Sequence, residues 1–152
     1  MKSVRISRSA FEALQAHLLR SYPNEGCGVF IGKKLEEASI EILRAAGTRN
    51  AEKIRGHDRF SIEPLDYLKI ERELDDATER LMIVGFFHSH PDALAIPSAT
   101  DLDMAQGLFD VTQEYHVYAI TSVFNHVVRD TTYWRLSENA THFEALNAVV
   151  GE

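Results

Sequence analysis

The sequence predicts a mixed α/β domain, a central mixed β-sheet flanked by about three helices. Three observations carry that prediction. Two segments repeat apolar residues at spacings of three and four, which is one face of a helix. One unbroken apolar run, "LMIVGFF", has the length of a strand covered on both sides. The C-terminal third reads as short strand-like stretches separated by turn residues. Residues 1–152 carry no internal repeat, low-complexity tract or linker and read as one domain.

Taken in order, Ser7 or Ser9 caps a first helix in which Phe11, Leu14 and Leu18 share a face, ending near Tyr22-Pro23. "GCGVFIGKK" reads as a strand and turn, "ASIEILRAA" as a second strand, and "RFSIEP" as a third that Pro64 stops. Pro64 suits the first turn of a second helix, whose face is Tyr67, Ile70, Leu74, Ala77 and Leu81. After the buried run, "PSATDLDMAQGLF" reads as a third helix with Ser98 at its start. "YHVYAITSVF", "TTYWRLS" and "HFEALNAVV" complete the strands, with Trp134 at a core position.

Composition excludes several classes. Apolar residues at 45% and charged residues at 26% belong to a globular chain. A net charge of −7, with Lys33 and Lys34 followed by Glu36 and Glu37, offers no basic footprint for nucleic acid. The single cysteine, Cys27, rules out an intrachain disulfide and Cys-rich zinc sites, and reads as a small buried residue. No apolar stretch reaches membrane-span length, and the N-terminus lacks a signal-peptide core, so a cytoplasmic protein is expected.

The stretch "GFFHSHPDALAIPSATDLD" carries the chemistry. His88 and His90 are two residues apart, so on an extended chain their side chains share a side. Asp101 follows His90 by eleven positions and opens the third helix with Ser98. Two imidazoles and a carboxylate are the three protein ligands that a catalytic zinc keeps when one position stays open for water. Glu25 is a candidate general base that spacing alone does not select. Ser98 and Asp101 also form an S-x-x-D capping pattern, so a purely structural role stays open for both. Asp92, Asp103 and the histidines at 17, 57, 116, 126 and 142 have no partner at metal-site spacing.

"EGCGVFIG" followed by "HSHPDALAIPSATD" resembles the JAMM, or MPN-plus, zinc metalloprotease family, in particular its small stand-alone prokaryotic members. Glu25, His88, Ser89, His90, Pro91, Ser98 and Asp101 all fall in register, and the likeness spans nearly the whole chain. The resemblance implies an MPN-like fold with one catalytic Zn²⁺ held by His88, His90 and Asp101. It implies Glu25 as general acid and base, Ser98 as oxyanion donor and Ser89 as a support for its loop. It further implies hydrolysis of a peptide or isopeptide bond after the Gly-Gly tail of a ubiquitin-like or sulfur-carrier protein. Such a tail threads a narrow groove, and its extended backbone can add to a sheet edge.

Two other readings use the same residues. A RadC-like, DNA-repair-associated protein has a similar pattern, but the acidic balance and "HSHP" in place of H-N-H-P oppose it. A catalytically silent MPN binding module would have lost ligand positions, and none is lost. Zincins and zinc deaminases are excluded because H-E-x-x-H and the paired cysteines are absent.

Overall fold

A computed structural model describes residues 3–35 and 39–152. The elements are β1 (Ser3–Ile6), α1 (Arg8–Ser21), β2 (Cys27–Leu35), β3 (Ser39–Thr48), α2 (Pro64–Asp76), β4 (Met82–Pro91), α3 (Ala99–Thr112), β5 (Val117–Phe124), β6 (Val127–Leu136) and β7 (Phe143–Val150). Three helices and a mixed sheet are the predicted class. Ala38, the first residue of the predicted second strand, lies outside the described residues.

Strand order around the sheet is β1-β3-β2-β4-β5-β6-β7, closed into a barrel by β1, which pairs in parallel with both β3 and β7. The sequence reading contains no strand before α1. "SVRI" is only four residues long, too short for a period-two pattern to stand out, yet Val4 and Ile6 are fully buried. Closure narrows where a substrate tail could add to the sheet: a strand lacks a neighbour only where a pairing stops short, as along residues 127–132 of β6, which β7 does not reach. The parallel pair β4–β5 is joined through α3, as a parallel connection requires.

Strand β4 is covered on both sides, as its unbroken apolar run implies. On one side Val84 and Phe87 join Val4, Ile6, Phe30, Ile42 and Val117 in the main core, against Ala10, Leu14 and Leu18 of α1. On the other, Ile83 and Phe86 pack with Val29, Ile31 and Ile70 of α2. Ser7 caps α1, its hydroxyl oxygen accepting from the Ala10 amide at 3.1 Å.

Three local expectations are revised. Helix α2 starts at Pro64 as predicted but stops at Asp76, so Ala77 and Leu81 lie beyond it. Asp75 and Asp76 place negative charge at the C-terminal end, where the helix dipole disfavours it, and the last turn has no cation. "RFSIEP" is not a strand: Ile62 alone bridges to Asn50. Trp134 is half-buried, while Tyr133 beside it faces the core at 7% exposure. Trp134 stands opposite Tyr118, on the outer face of the barrel, where its indole N–H donates to Thr132 at 2.8 Å.

Among the described residues, no helix is long and apolar enough to cross a membrane. Leu14 is completely buried between α1 and the sheet. Leu14→Ala should therefore cost about 2–5 kcal/mol, read as a lower urea midpoint at unchanged slope.

Candidate metal and active site

Alternation along β4 turns Phe86, His88 and His90 to the outer face, and Phe87 and Ser89 to the inner one. Tyr118, Ile120 and Ser122 of β5 stand directly beside the first three. The chain then leaves β4 at Pro91 and returns through α3, whose first turn brings Asp101 over the histidines.

The three predicted ligands converge. His88 Nε2 lies 3.2 Å from His90 Nε2. Asp101 reaches both rings, with Oδ1 at 3.1 Å from His88 and Oδ2 at 3.1 Å from His90. Tetrahedral zinc with bonds of about 2.0–2.1 Å needs donor atoms about 3.3–3.4 Å apart. The observed triangle meets that to within a few tenths of an ångström, so the donor set fits the ion in type and spacing. It is also the metal-type His, Cys or carboxylate cluster found among the described residues.

Surrounding contacts hold the donors in that state. His90 Nδ1 donates to the Leu94 carbonyl at 2.8 Å, so once the proton Nε2 shares with Asp101 is given up, the Nε2 lone pair points toward the cluster. Phe60 stacks on the His88 ring, 4.5 Å between centroids at 23°. Ser98 and Asp101 form the predicted capping box. The Asp101 amide donates to Ser98 Oγ at 3.0 Å, and the Ser98 amide donates to Asp101 Oδ2 at 2.9 Å. Capping uses Ser98 only as an acceptor, so its O–H hydrogen stays free to donate. The structural and chemical roles of Ser98 are thus compatible in one geometry.

Electrostatics separate the carboxylates. Burial works against ionising Asp101, but hydrogen bonds from His88 and His90 outweigh it and hold the carboxyl well below its usual range. Burial keeps His88 neutral. Burial opposes protonation of His90 too, but its hydrogen bonds to Asp101 and Leu94 raise it overall.

Glu25 sits just before β2 and is 7% exposed. Burial pushes its carboxyl up to about 7, opposed by the His90 charge and assisted by that of Asp101. Among the described residues that carboxylate makes no hydrogen bond or ion pair, so no structural contact consumes it. Ser89 supports the Glu25 segment, as expected for a loop-bracing residue: its hydroxyl accepts from the Gly26 amide at 2.8 Å, and its own amide donates to the Gly26 carbonyl at 3.0 Å.

The remaining candidates stay outside the cluster, as the sequence reading has them. Asp92 accepts from the Tyr22 hydroxyl, and His17 hydrogen-bonds the Cys27 carbonyl. Cys27 is buried opposite His88, and burial raises its thiol to about 11, the mark of an inert residue. Phe60 and the adjoining groove carry no spacing signal in the sequence. That groove, about 500 Å³, runs from His88 and Asp101 between α2 and α3, and is lined by Phe60, Ile62, Tyr67, Phe86, Tyr118 and Phe143.

The family model for prokaryotic homologues of the JAB domain matches residues 7–137, which include Glu25, His88, Ser89, His90, Ser98 and Asp101. The chain belongs to that family. This JAB homologue is similar to the CysO-cysteine peptidase of Mycobacterium tuberculosis, 29% identical over 137 residues, covering 90% of this chain and 85% of the relative. It is also 30% identical over 101 residues to the "Probable TtuB-protein conjugate cleaving protease" of Thermus thermophilus, covering 66% of this chain and 62% of that one. In fold, it matches the solution structure of a Desulfitobacterium hafniense protein with a TM-score of 0.78 at 21% identity, over 98% of this chain and 93% of the other. Peptidase names among the relatives support a hydrolase.

Glu25 makes the metal-free JAB homologue sensitive to pH in a defined direction. Its folded pKa of about 7 lies above the reference 4.5, so the native state holds this proton more tightly than the unfolded one. That contribution is fully present below about 4.5 and is lost as pH rises through about 7. Glu25→Gln should accordingly stabilise the chelator-treated protein at pH 8 by about 1–2 kcal/mol, allowing for solvent screening. Urea unfolding of both proteins across pH should show that gain shrinking toward zero on acidification.

Proposed function

We propose that the protein is a zinc-dependent peptidase or isopeptidase. Its substrate class is the peptide or isopeptide bond that follows the Gly-Gly tail of a ubiquitin-like or sulfur-carrier protein. The observation that carries the reading is the His88–His90–Asp101 triangle beside the unpaired, buried Glu25, at the end of an apolar groove. The names of the mycobacterial and Thermus relatives support the substrate class. Residues 1–152 act in this reading as a single JAMM/MPN-plus unit, with no nucleic acid or membrane among its partners.

His88, His90 and Asp101 hold the ion. When bound, zinc supplies Lewis acidity, lowering the pKa of water toward about 7 and polarising the scissile carbonyl. The chain's own residues do the rest. Glu25 takes the proton from the attacking water and delivers it to the departing amine nitrogen. A carboxylate that is no ligand and, among the described residues, no partner in a hydrogen bond can serve both steps, and its raised affinity for the proton suits the exchange. Ser98 directs its free O–H at the carbonyl oxygen as negative charge gathers there. Phe60 excludes water on the His88 side by stacking on that ring. The groove walls are aromatic and close to the ligands, which favours a tail whose last residues carry no side chain.

Elemental analysis should find about one zinc per chain, lost in His88→Ala, His90→Ala and Asp101→Ala. Glu25→Gln should keep the zinc and lose about 10²–10⁴ in turnover of a carrier protein extended past Gly-Gly. Normal cleavage by that variant would remove Glu25 from the mechanism. Ser98→Ala should bind metal and turn over about 10²–10³ more slowly. Full activity there would leave Ser98 with capping alone.

A further inference from the structure

We propose that Asn50, outside the family motif and absent from the ligand set, is the positioning residue for the Glu25 carboxylate. The catalytic half of this inference rests on the peptidase reading above, and its structural half does not.

The segment from Arg49 to Ser61 follows β3 without regular secondary structure, apart from single-residue bridges. Its backbone groups need partners from elsewhere. Asn50 supplies three of them with its side chain, while backbone pairs such as the Ala51 amide with the Ser61 carbonyl supply others. Its Nδ2 donates to the Glu25 carbonyl at 3.0 Å and to the Arg59 carbonyl at 3.0 Å. Its Oδ1 accepts from the Glu52 amide at 2.9 Å and the Ser61 amide at 2.9 Å. An asparagine amide has two donor hydrogens and two acceptor lone pairs, and all four are used. The orientation of the amide is fixed as well, since two carbonyls face its nitrogen and two N–H groups face its oxygen.

These bonds converge on the site. The Glu25 amide donates to the Gly56 carbonyl, within the segment Asn50 organises. The next amide, on Gly26, donates to Ser89 between the two histidines. Glu25 is thus tied to β4 on one side and to Asn50 on the other. Between Arg59 and Ser61, both held by Asn50, lies Phe60, stacked on His88. One side chain therefore sets the base and the aromatic wall of a ligand histidine in the same frame. Other contacts in the segment, such as Glu52 with the Ile54 and Arg55 amides and Arg55 with Asp58, are internal to it. Those brace the segment's own shape but do not reach Glu25.

The donor and acceptor halves of this role are separable. Asn50→Asp keeps the shape and both acceptor bonds but loses both donor bonds, including the one to Glu25. Asn50→Ala loses all four. Both variants should keep about one zinc per chain and a KM within about threefold, while kcat falls about 10–100-fold. Amide hydrogen exchange, which needs no substrate, should accelerate at least about tenfold at Glu25 and Gly26 and stay unchanged at Val29 and Phe87 in the sheet.

Unchanged exchange at Glu25 and Gly26 in Asn50→Asp would overturn the proposal. So would a wild-type kcat in that variant. Loss of zinc together with protection across the sheet would also overturn it, making Asn50 a general element of the fold. Should the wild type cleave no carrier protein, the peptidase reading fails, and exchange still decides whether Asn50 holds Glu25.

Discussion

Two hydrogen bonds between Gly26 and Ser89 join the start of β2 to the residue between the metal-type histidines. The site depends on that junction, because Glu25 and the histidines are more than sixty positions apart in sequence and the β2–β4 ladder itself begins only at Cys27 and His88. The junction demands a glycine. A Cβ at position 26 would come within 2.6 Å of Ser21 Oγ and 2.7 Å of Leu18 Cδ2, at the end of α1. The first helix, the base and the ligand strand are therefore packed against one another at a single point.

Around that point the site is held in an electrostatically uncomfortable state. Asp101 is ionised in a buried position, Glu25 is buried with no side-chain partner among the described residues, and burial favours the neutral form of His88. Two carboxylates and two imidazoles within one desolvated space form a poor arrangement for a free-standing fold and a good one for a divalent cation. The capping box reconciles the two demands on Asp101. The N-terminal turn of α3 supplies it with the Ser98 amide and the favourable end of a helix dipole while its oxygens face the histidines.

What the sequence made legible was periodic or in register. His88 and His90 were readable because two residues on a strand share a side, and Asp101 because capping and ligation ask for the same residue at the same helical position. Glu25 was different: only the likeness to a family pointed to it, since its approach to His90 is made by strand pairing across sixty residues. Asn50, Phe60 and the groove were illegible for the same reason. Their segment forms no repeat, and a side chain rather than a strand satisfies its backbone, which is why "RFSIEP" looked like a strand and is not one. Strand β1 is too brief to leave a pattern, and the early end of α2 is masked by apolar residues that continue its spacing after the helix has stopped. Leu81 still reaches the Val29–Ile31 cluster, so the pattern marked burial correctly and the element wrongly.

Barrel closure bears on how anything could be gripped there. Every described strand already has a neighbour on each side along part of its length, so an extended segment lying in the groove finds free main-chain groups of the sheet only where a pairing stops short. Elsewhere its peptide groups must look to water or to loop atoms, and the groove itself offers mainly aromatic and aliphatic surface. Contact of that kind is weak per residue and selects by width more than by directed hydrogen bonds. In the peptidase reading, discrimination beyond the fit of the groove would fall to surfaces outside it. A protein built this way reads its guest mostly by what stays outside the door.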